Sequence, residues 1–157
     1  MVCLGNICRS PMAAAVAEDL IGQAGLDRQV EVESFGTARY HVGEGADPGA
    51  VAALHRHGWT AKPHRARQLE VDDIKAADLV LCADRSNLNT VRRLAVSGGE
   101  DPSKVRLLRS FDPGRRQGDD GIPDPWGGGD QDFDLALAAI EPSCEGLVRE
   151  LATRLAV

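Results

Sequence analysis

Apolar positions in this chain fall into short unbroken runs and into stretches with a period near 3.6, and the two kinds alternate. Met12 to Ala24 is predicted as a helix, because Ser10 can cap it, Pro11 suits its first position and Gly25 can end it. "VEVESF" (Val30–Phe35) alternates as a strand, and "PGAVAALHRHG" (Pro48–Gly58) is helical. "DLVLCA" (Asp78–Ala83) is a short apolar run typical of a buried parallel strand, and a helix is predicted to continue from Asp84. "KVRLLRS" (Lys104–Ser110) predicts a further strand, and Phe133 to Leu155 carries a helical pattern with a kink or break expected at Pro142. The order predicts an α/β fold, a three-layer sandwich with a short parallel sheet flanked by helices on both faces. Ligands of such folds bind at the carboxyl ends of the strands, and Cys3 sits at such an end.

Between the last strand and the last helix lie about twenty residues crowded with Gly, Pro and Asp, "FDPGRRQGDDGIPDPWGGGD", longer than an ordinary connection. With no internal repeat and no linker, residues 1–157 are expected to form a single domain. No run approaches the eighteen apolar residues that would span a bilayer, and no signal-peptide pattern precedes Cys3. We therefore expect a soluble, cytoplasmic, monomeric protein with no membrane partner. The net charge of −6 and the scattered basic residues, 15 Arg against 3 Lys, argue against nucleic-acid binding. Any anion handled here must be met by a local site.

Such a site is legible at the start, "MVCLGNICRSP". A cysteine and an arginine six apart mean little alone. Gly5 and Asn6, however, tolerate positive φ, so the backbone can curl until successive N–H groups form an anion nest. The helix after Ser10 directs its free N–H groups and positive dipole end at the same point. Arg9 adds a planar fork for two oxygens of a tetrahedral oxyanion. A thiolate at Cys3 beside bound phosphate points to phosphoryl transfer through a cysteinyl phosphate. No metal or cofactor is implied, because the loop and Arg9 supply the charge. The cysteines Cys3, Cys8, Cys82 and Cys144 show no paired spacing of a zinc site and are too few for a disulfide scaffold.

"CLGNICRSP" resembles the signature loop of the low-molecular-weight protein tyrosine phosphatases, of the bacterial type. The likeness continues in order through "SFGT" (Ser34–Thr37), "YHVGEGADP" (Tyr40–Pro48), "HRARQL" (His64–Leu69), "DRSNL" (Asp84–Leu88), "VRLLRSFDP" (Val105–Pro113) and "PDPWGGGD" (Pro123–Asp130). The resemblance implies a four-stranded, flavodoxin-like, doubly wound sheet and hydrolysis of phosphotyrosine in protein substrates. It makes Cys3 the nucleophile, Arg9 the phosphate clamp and Asp124 the general acid. Leu4, Gly5, Asn6, Ile7, Cys8, Arg9 and Ser10 then form the phosphate loop, Ser10 also stabilising the departing thiolate. Asn6, Ser34 and His64 support that loop, and Ile7, Tyr40 and Trp126 wall the pocket. Chemistry alone does not select Asp124 among the seven aspartates between Asp112 and Asp134. The reaction nonetheless needs an acid, since a phenolate of pKa about 10 leaves slowly unless protonated. Cys8 matches the family's second cysteine, so a sulfenic acid on Cys3 is expected to be captured by it as a reversible disulfide.

Some positions depart from the family pattern. Trp126 and Gly127 stand where the family has two tyrosines, and Tyr40, the only tyrosine, stands where it often has tryptophan. Phe35 replaces a small residue, with no functional account. The family has about five apolar residues before the nucleophile, against Met1 and Val2 here, so the first strand is expected to be truncated and the natural start to lie upstream of Met1. Three other readings rank below phosphotyrosine hydrolysis. Arsenate reductases of this fold pass oxidation along further cysteines, and none follows Cys82 within the next helix. Protein-arginine phosphatases have a threonine where Ile7 stands. A non-enzymatic phosphate-binding module would have no need of both Cys3 and Asp124.

Overall fold

Four parallel strands of two or three residues each make the sheet of the computed structural model, which describes residues 1–156. The strands are β1 (Val2–Cys3), β2 (Phe35–Gly36), β3 (Val80–Cys82) and β4 (Val105–Leu107), in the order β2-β1-β3-β4. Val2 pairs with Phe35 on one side and with Cys82 on the other, and Val80 pairs with Val105. Side chains alternate across a strand, so each short run feeds two cores. Cys3 and Leu81 face the layer of α1 (Arg9–Gln23), α2 (Pro48–Arg56) and α5 (Asp130–Arg154). Val2, Val80, Cys82, Val105 and Leu107 face α3 (Val71–Ala76) and α4 (Arg85–Ser97), through Ile74, Leu88, Val91 and Ala95. The three-layer α/β architecture expected from the sequence is the one observed. Among the described residues, no helix is long and apolar enough to cross a membrane.

Several element boundaries differ from the sequence expectation, each for a local reason. Of the expected strand Val30–Phe35 only Phe35 is paired, with Gly36 just beyond it, because the neighbouring β1 offers only Val2 and Cys3. Val30 and Val32 instead pack on the core from an extended segment. α1 begins at Arg9, and Ser10 lies inside its first turn rather than capping it, because its hydroxyl is engaged with Cys3 and Asn6. The strand expected over Lys104–Ser110 stops at Leu107, where the Ser110 hydroxyl donates to the Leu107 carbonyl (2.6 Å) and the chain turns into a 3-10 helix, Leu108–Phe111. The pattern missed α3, in which Ile74 is the only buried residue and the Asp73 carboxylate accepts from the Glu70 N–H (2.8 Å).

α5 runs unbroken through Pro142 rather than stopping there. Proline removes the donor for the carbonyl four residues back, but Ala138 is exposed and water can satisfy it. One turn on, Gly146 lets the helix meet the turn after β4: a Cβ on Gly146 would lie 1.8 Å from the Phe111 carbonyl oxygen. Backbone cannot yield as a side-chain tip can. Gly146→Ala is therefore expected to destabilise by about 3 kcal/mol, the upper end for overpacking, and to lower Tm by about 6–12 °C, measured by thermal denaturation.

Candidate active site

The loop from Cys3 to Ser10 joins the end of β1 to the start of α1, and Asn6 is its pivot. With φ of 58°, Asn6 is the only non-glycine residue with positive φ among the described residues. Asparagine tolerates that region, yet it still costs about 1 kcal/mol, so it persists only where surroundings hold it. Here they do. The Arg67 N–H donates to Asn6 Oδ1 (3.0 Å), which fixes the orientation of the amide. Asn6 Nδ2 then donates to Ser10 Oγ (2.8 Å) and to Ser34 Oγ (3.1 Å). His64 Nε2 lies 2.6 Å from the Asn6 carbonyl oxygen, which can only accept, so Nε2 carries the proton. Asn6, Ser34 and His64, expected from the sequence to support this loop, meet here with Ser10 and with Arg67, which the sequence did not single out.

Ser10 links this network to the nucleophile. Its oxygen accepts from Asn6 and lies 3.0 Å from Cys3 Sγ, so its hydroxyl can donate to a thiolate there, which only accepts. The Asn6 N–H points at the same sulfur from 3.3 Å. Among the described residues, the N–H groups of Gly5, Ile7 and Cys8 donate to no protein acceptor, as an anion nest requires. The loop is anchored on its outer side too, where the Asp47 N–H donates to the Ile7 carbonyl (2.8 Å).

Arg9 is almost fully buried and held from across the sheet. Its Nη1 donates to Asp84 Oδ2 (2.8 Å) and to the Ile122 carbonyl (3.1 Å). Asp84 caps α4 with its other oxygen, accepting from the Asn87 N–H (2.8 Å), so one carboxylate fixes both a helix start and the arginine. Sequence reading placed Asp84 in a motif without giving it a role, although its capping pattern was visible. Arg9 Nη2 is left facing Asp124 Oδ2 at 3.7 Å. Asp124 is half exposed, and its Oδ1 accepts from the Trp126 N–H (3.1 Å), closing a tight turn in the long loop.

Cys3 and Arg9 lie on a cavity of about 400 Å³ whose lining includes Leu4, Gly5, Ile7 and Cys8. Tyr40, His41 and Trp126 also line it, and Asp124 stands over it. Ser10, Ser34 and His64 lie behind the loop rather than in the cavity. Burial, with Asp47, Cys3 and Asp124 adding to it against Arg9, pushes the Cys8 thiol up to about 12, so Cys8 is a thiol at neutral pH. Burial first of all also pushes Cys82 and Cys144 up to about 12, and both lie away from the cavity. No cluster of side chains that could hold a metal ion occurs among the described residues.

Comparison with known proteins points to one family. The family model for low molecular weight phosphotyrosine protein phosphatase matches residues 1–156. A low molecular weight protein-tyrosine-phosphatase of Streptomyces coelicolor is 46% identical over 147 residues, 94% of this chain and 88% of that one. Low molecular weight protein-tyrosine phosphatase A of Mycobacterium tuberculosis is 39% identical, covering 99% of this chain and 91% of its own. Among solved structures, a protein tyrosine phosphatase of Entamoeba histolytica with Hepes in its active site superposes with a TM-score of 0.88 at 28% identity, covering 98% and 95% of the two chains. YfkJ of Bacillus subtilis gives 0.88 at 29% identity over 98% and 93%.

The Asp84 anchor has a measurable consequence. Asp84→Ala leaves a buried guanidinium short of its charged partner, and is expected to weaken binding of inorganic phosphate about tenfold by titration calorimetry. Asp84→Asn, which keeps an acceptor, is expected to lose less.

Proposed function

The chain belongs to the low molecular weight phosphotyrosine protein phosphatase family, and on that premise we propose that it hydrolyses phosphotyrosine in protein substrates through a cysteinyl phosphate on Cys3. The Cys3 thiolate attacks phosphorus, forming the S–P bond as the P–O bond to the tyrosine breaks. Asp124, protonated, gives its proton to the departing phenolate. The resulting Asp124 carboxylate then takes a proton from water, whose oxygen attacks phosphorus. The S–P bond breaks, inorganic phosphate leaves and the thiolate returns. Arg9 and the loop N–H groups carry the charge on the equatorial oxygens in both steps, already oriented before substrate arrives.

One observation carries this reading. Cys3 Sγ lies 3.0 Å from the Ser10 oxygen, which is no part of the cavity where Arg9 Nη2 and Asp124 face one another, so as a thiolate, which only accepts, it takes the Ser10 hydroxyl hydrogen from outside that cavity. That donor serves the sulfur as attacking group in the first step and as leaving group in the second. An alkaline thiol nearby would not substitute for it, because Cys8 is held protonated. Cys8 fits a protective role instead. After peroxide converts Cys3 to a sulfenic acid, Cys8 sulfur displaces hydroxide from Cys3 sulfur, giving a disulfide and, with a proton, water.

With p-nitrophenyl phosphate and a phosphotyrosine peptide, Cys3→Ser is expected to abolish turnover. Asp124→Asn is expected to lower kcat about 10²–10³-fold on the peptide and less on the better leaving group. Activity surviving Cys3→Ser refutes the mechanism, and faster hydrolysis of phosphoarginine than of phosphotyrosine refutes the substrate class. For the peroxide-treated enzyme the sign of the pH effect follows from Cys8. Its thiolate fraction grows about tenfold per pH unit below about 12, so disulfide formation is expected to accelerate steeply from pH 7 to 9, measured by intact mass and absent in Cys8→Ser.

A further inference from the structure

Phe35, standing where the family pattern has a small residue, has so far no function. Its ring is buried at the start of β2, and the Arg67 guanidinium carbon lies over it, 4.1 Å from the ring centroid. The edge of the same guanidinium turns to the two preceding residues. Nε donates to the Ser34 carbonyl (3.2 Å), and Nη2 lies 3.4 Å from Glu33 Oε1. A planar cation thus holds three consecutive residues, one by its face and two by its edge.

What makes this stack more than packing is where its two sides lead. The Arg67 N–H holds Oδ1 of the Asn6 amide, and the Ser34 hydroxyl accepts from Nδ2 of the same amide. Both ends of a rigid planar group are satisfied together only while Arg67 and Ser34 keep a set separation. Backbone bonds tie Arg67 elsewhere: its carbonyl accepts from the Gly36 N–H (2.9 Å), and Ala66 before it is bound to Gly43 and Glu44. Among the described residues no backbone hydrogen bond joins Arg67 to Ser34, and the guanidinium makes that tie. The loop also rests directly on β2, since a Cβ on Gly36 would lie 2.7 Å from the Leu4 carbonyl oxygen and 3.2 Å from Asn6 Cβ.

We propose that Phe35 and Arg67 are positioning residues, a clamp that sets the separation of the two anchors of the Asn6 amide and so keeps the Cys3–Ser10 loop in its anion-binding curl. The inference rests on the reading of that loop as the phosphate site and deepens it. Without the ring, the half-exposed Arg67 side chain is free to turn into water, and the residue at φ of 58° loses part of what offsets its backbone cost. Loop amides that are no longer held inward must then be ordered by the phosphate itself, which weakens its binding.

The test is a double-mutant cycle read in phosphate affinity. Inorganic phosphate is titrated by calorimetry into wild type, Phe35→Leu, Arg67→Met and the double variant, with thermal denaturation run alongside. Leucine keeps apolar bulk without a ring face, and methionine keeps an unbranched stem without the cation. Phe35→Leu is expected to weaken phosphate about two- to fivefold, the range of one cation–π contact, and Arg67→Met about three- to tenfold, since it also loses the Ser34 carbonyl. The double variant is expected to match Arg67→Met within about 1.5-fold, because the stack is already gone. A mere packing role for Phe35 lowers Tm and leaves phosphate affinity unmoved, and an independent role weakens phosphate by the same factor with and without Arg67; either result overturns the proposal. Because the Arg67 side chain is half exposed, Arg67→Met reads the clamp even where Phe35→Leu is too unstable to titrate, and unchanged phosphate affinity in Arg67→Met overturns the proposal alone. A wild type that binds no phosphate overturns the parent reading and the clamp with it.

Discussion

A single left-handed residue, Asn6, sets the shape on which everything at this site depends. Its positive φ curls the chain so that the following amides turn inward, and the curl is stable because the residue is tied through its amide, its side-chain oxygen and its carbonyl. Each neutral hydrogen bond contributes about 1 kcal/mol net, comparable to the backbone cost, so two or three suffice. The same ties reach the sulfur. Asn6 Nδ2 donates to Ser10 Oγ, and the Ser10 hydroxyl, 3.0 Å from Cys3 Sγ, is held where it can donate to a thiolate. Conformational restraint and the donor to the sulfur therefore belong to one network.

The sheet explains why this network can meet its arginine and its acid. In the order β2-β1-β3-β4 the chain winds outward from β1 in one direction and then restarts from β3 in the other, and the crevice opens between those two strands. Cys3 ends β1, and Asp84 follows β3 by two residues. Asp84 thus reaches Arg9 across the crevice, and the Ile122 carbonyl brings the long loop carrying Asp124 to the same point. Strands of two or three residues are enough, because both faces of each are covered and Cys3 itself is buried between helices.

What could be read from the sequence divides along contact range. The nest, the arginine and the helix start lie within eight residues, so their convergence was visible locally. Asp124, Tyr40 and Trp126 came from motif likeness, since nothing in their own neighbourhood sets them apart. Arg67 and Asp84 escaped as functional groups because each acts through a partner far along the chain: Asn6 lies 61 residues from Arg67 and Arg9 lies 75 from Asp84. The period-two pattern over Val30–Phe35 was over-read for a different reason. Alternation reports one buried face, and an extended segment lying on a core satisfies it without a sheet partner. α3 has too little buried surface to leave a period at all.

An acidic chain that grips a dianion must solve an electrostatic problem, and pairing Arg9, the one buried arginine among the described residues, with Asp84 looks at first self-defeating. The alternative is worse. An unpaired guanidinium buried as deeply as Arg9 would be costly to desolvate and free to turn toward any carboxylate, including Asp124. Asp84 takes only one Nη, leaving the other edge directed into the cavity. The attraction for phosphate then comes largely from neutral groups, the loop amides and the start of α1, which carry no competing counter-charge and need no reorganisation when the anion arrives. A site built this way is indifferent to the protein's net charge of −6, because its field is local and mostly dipolar.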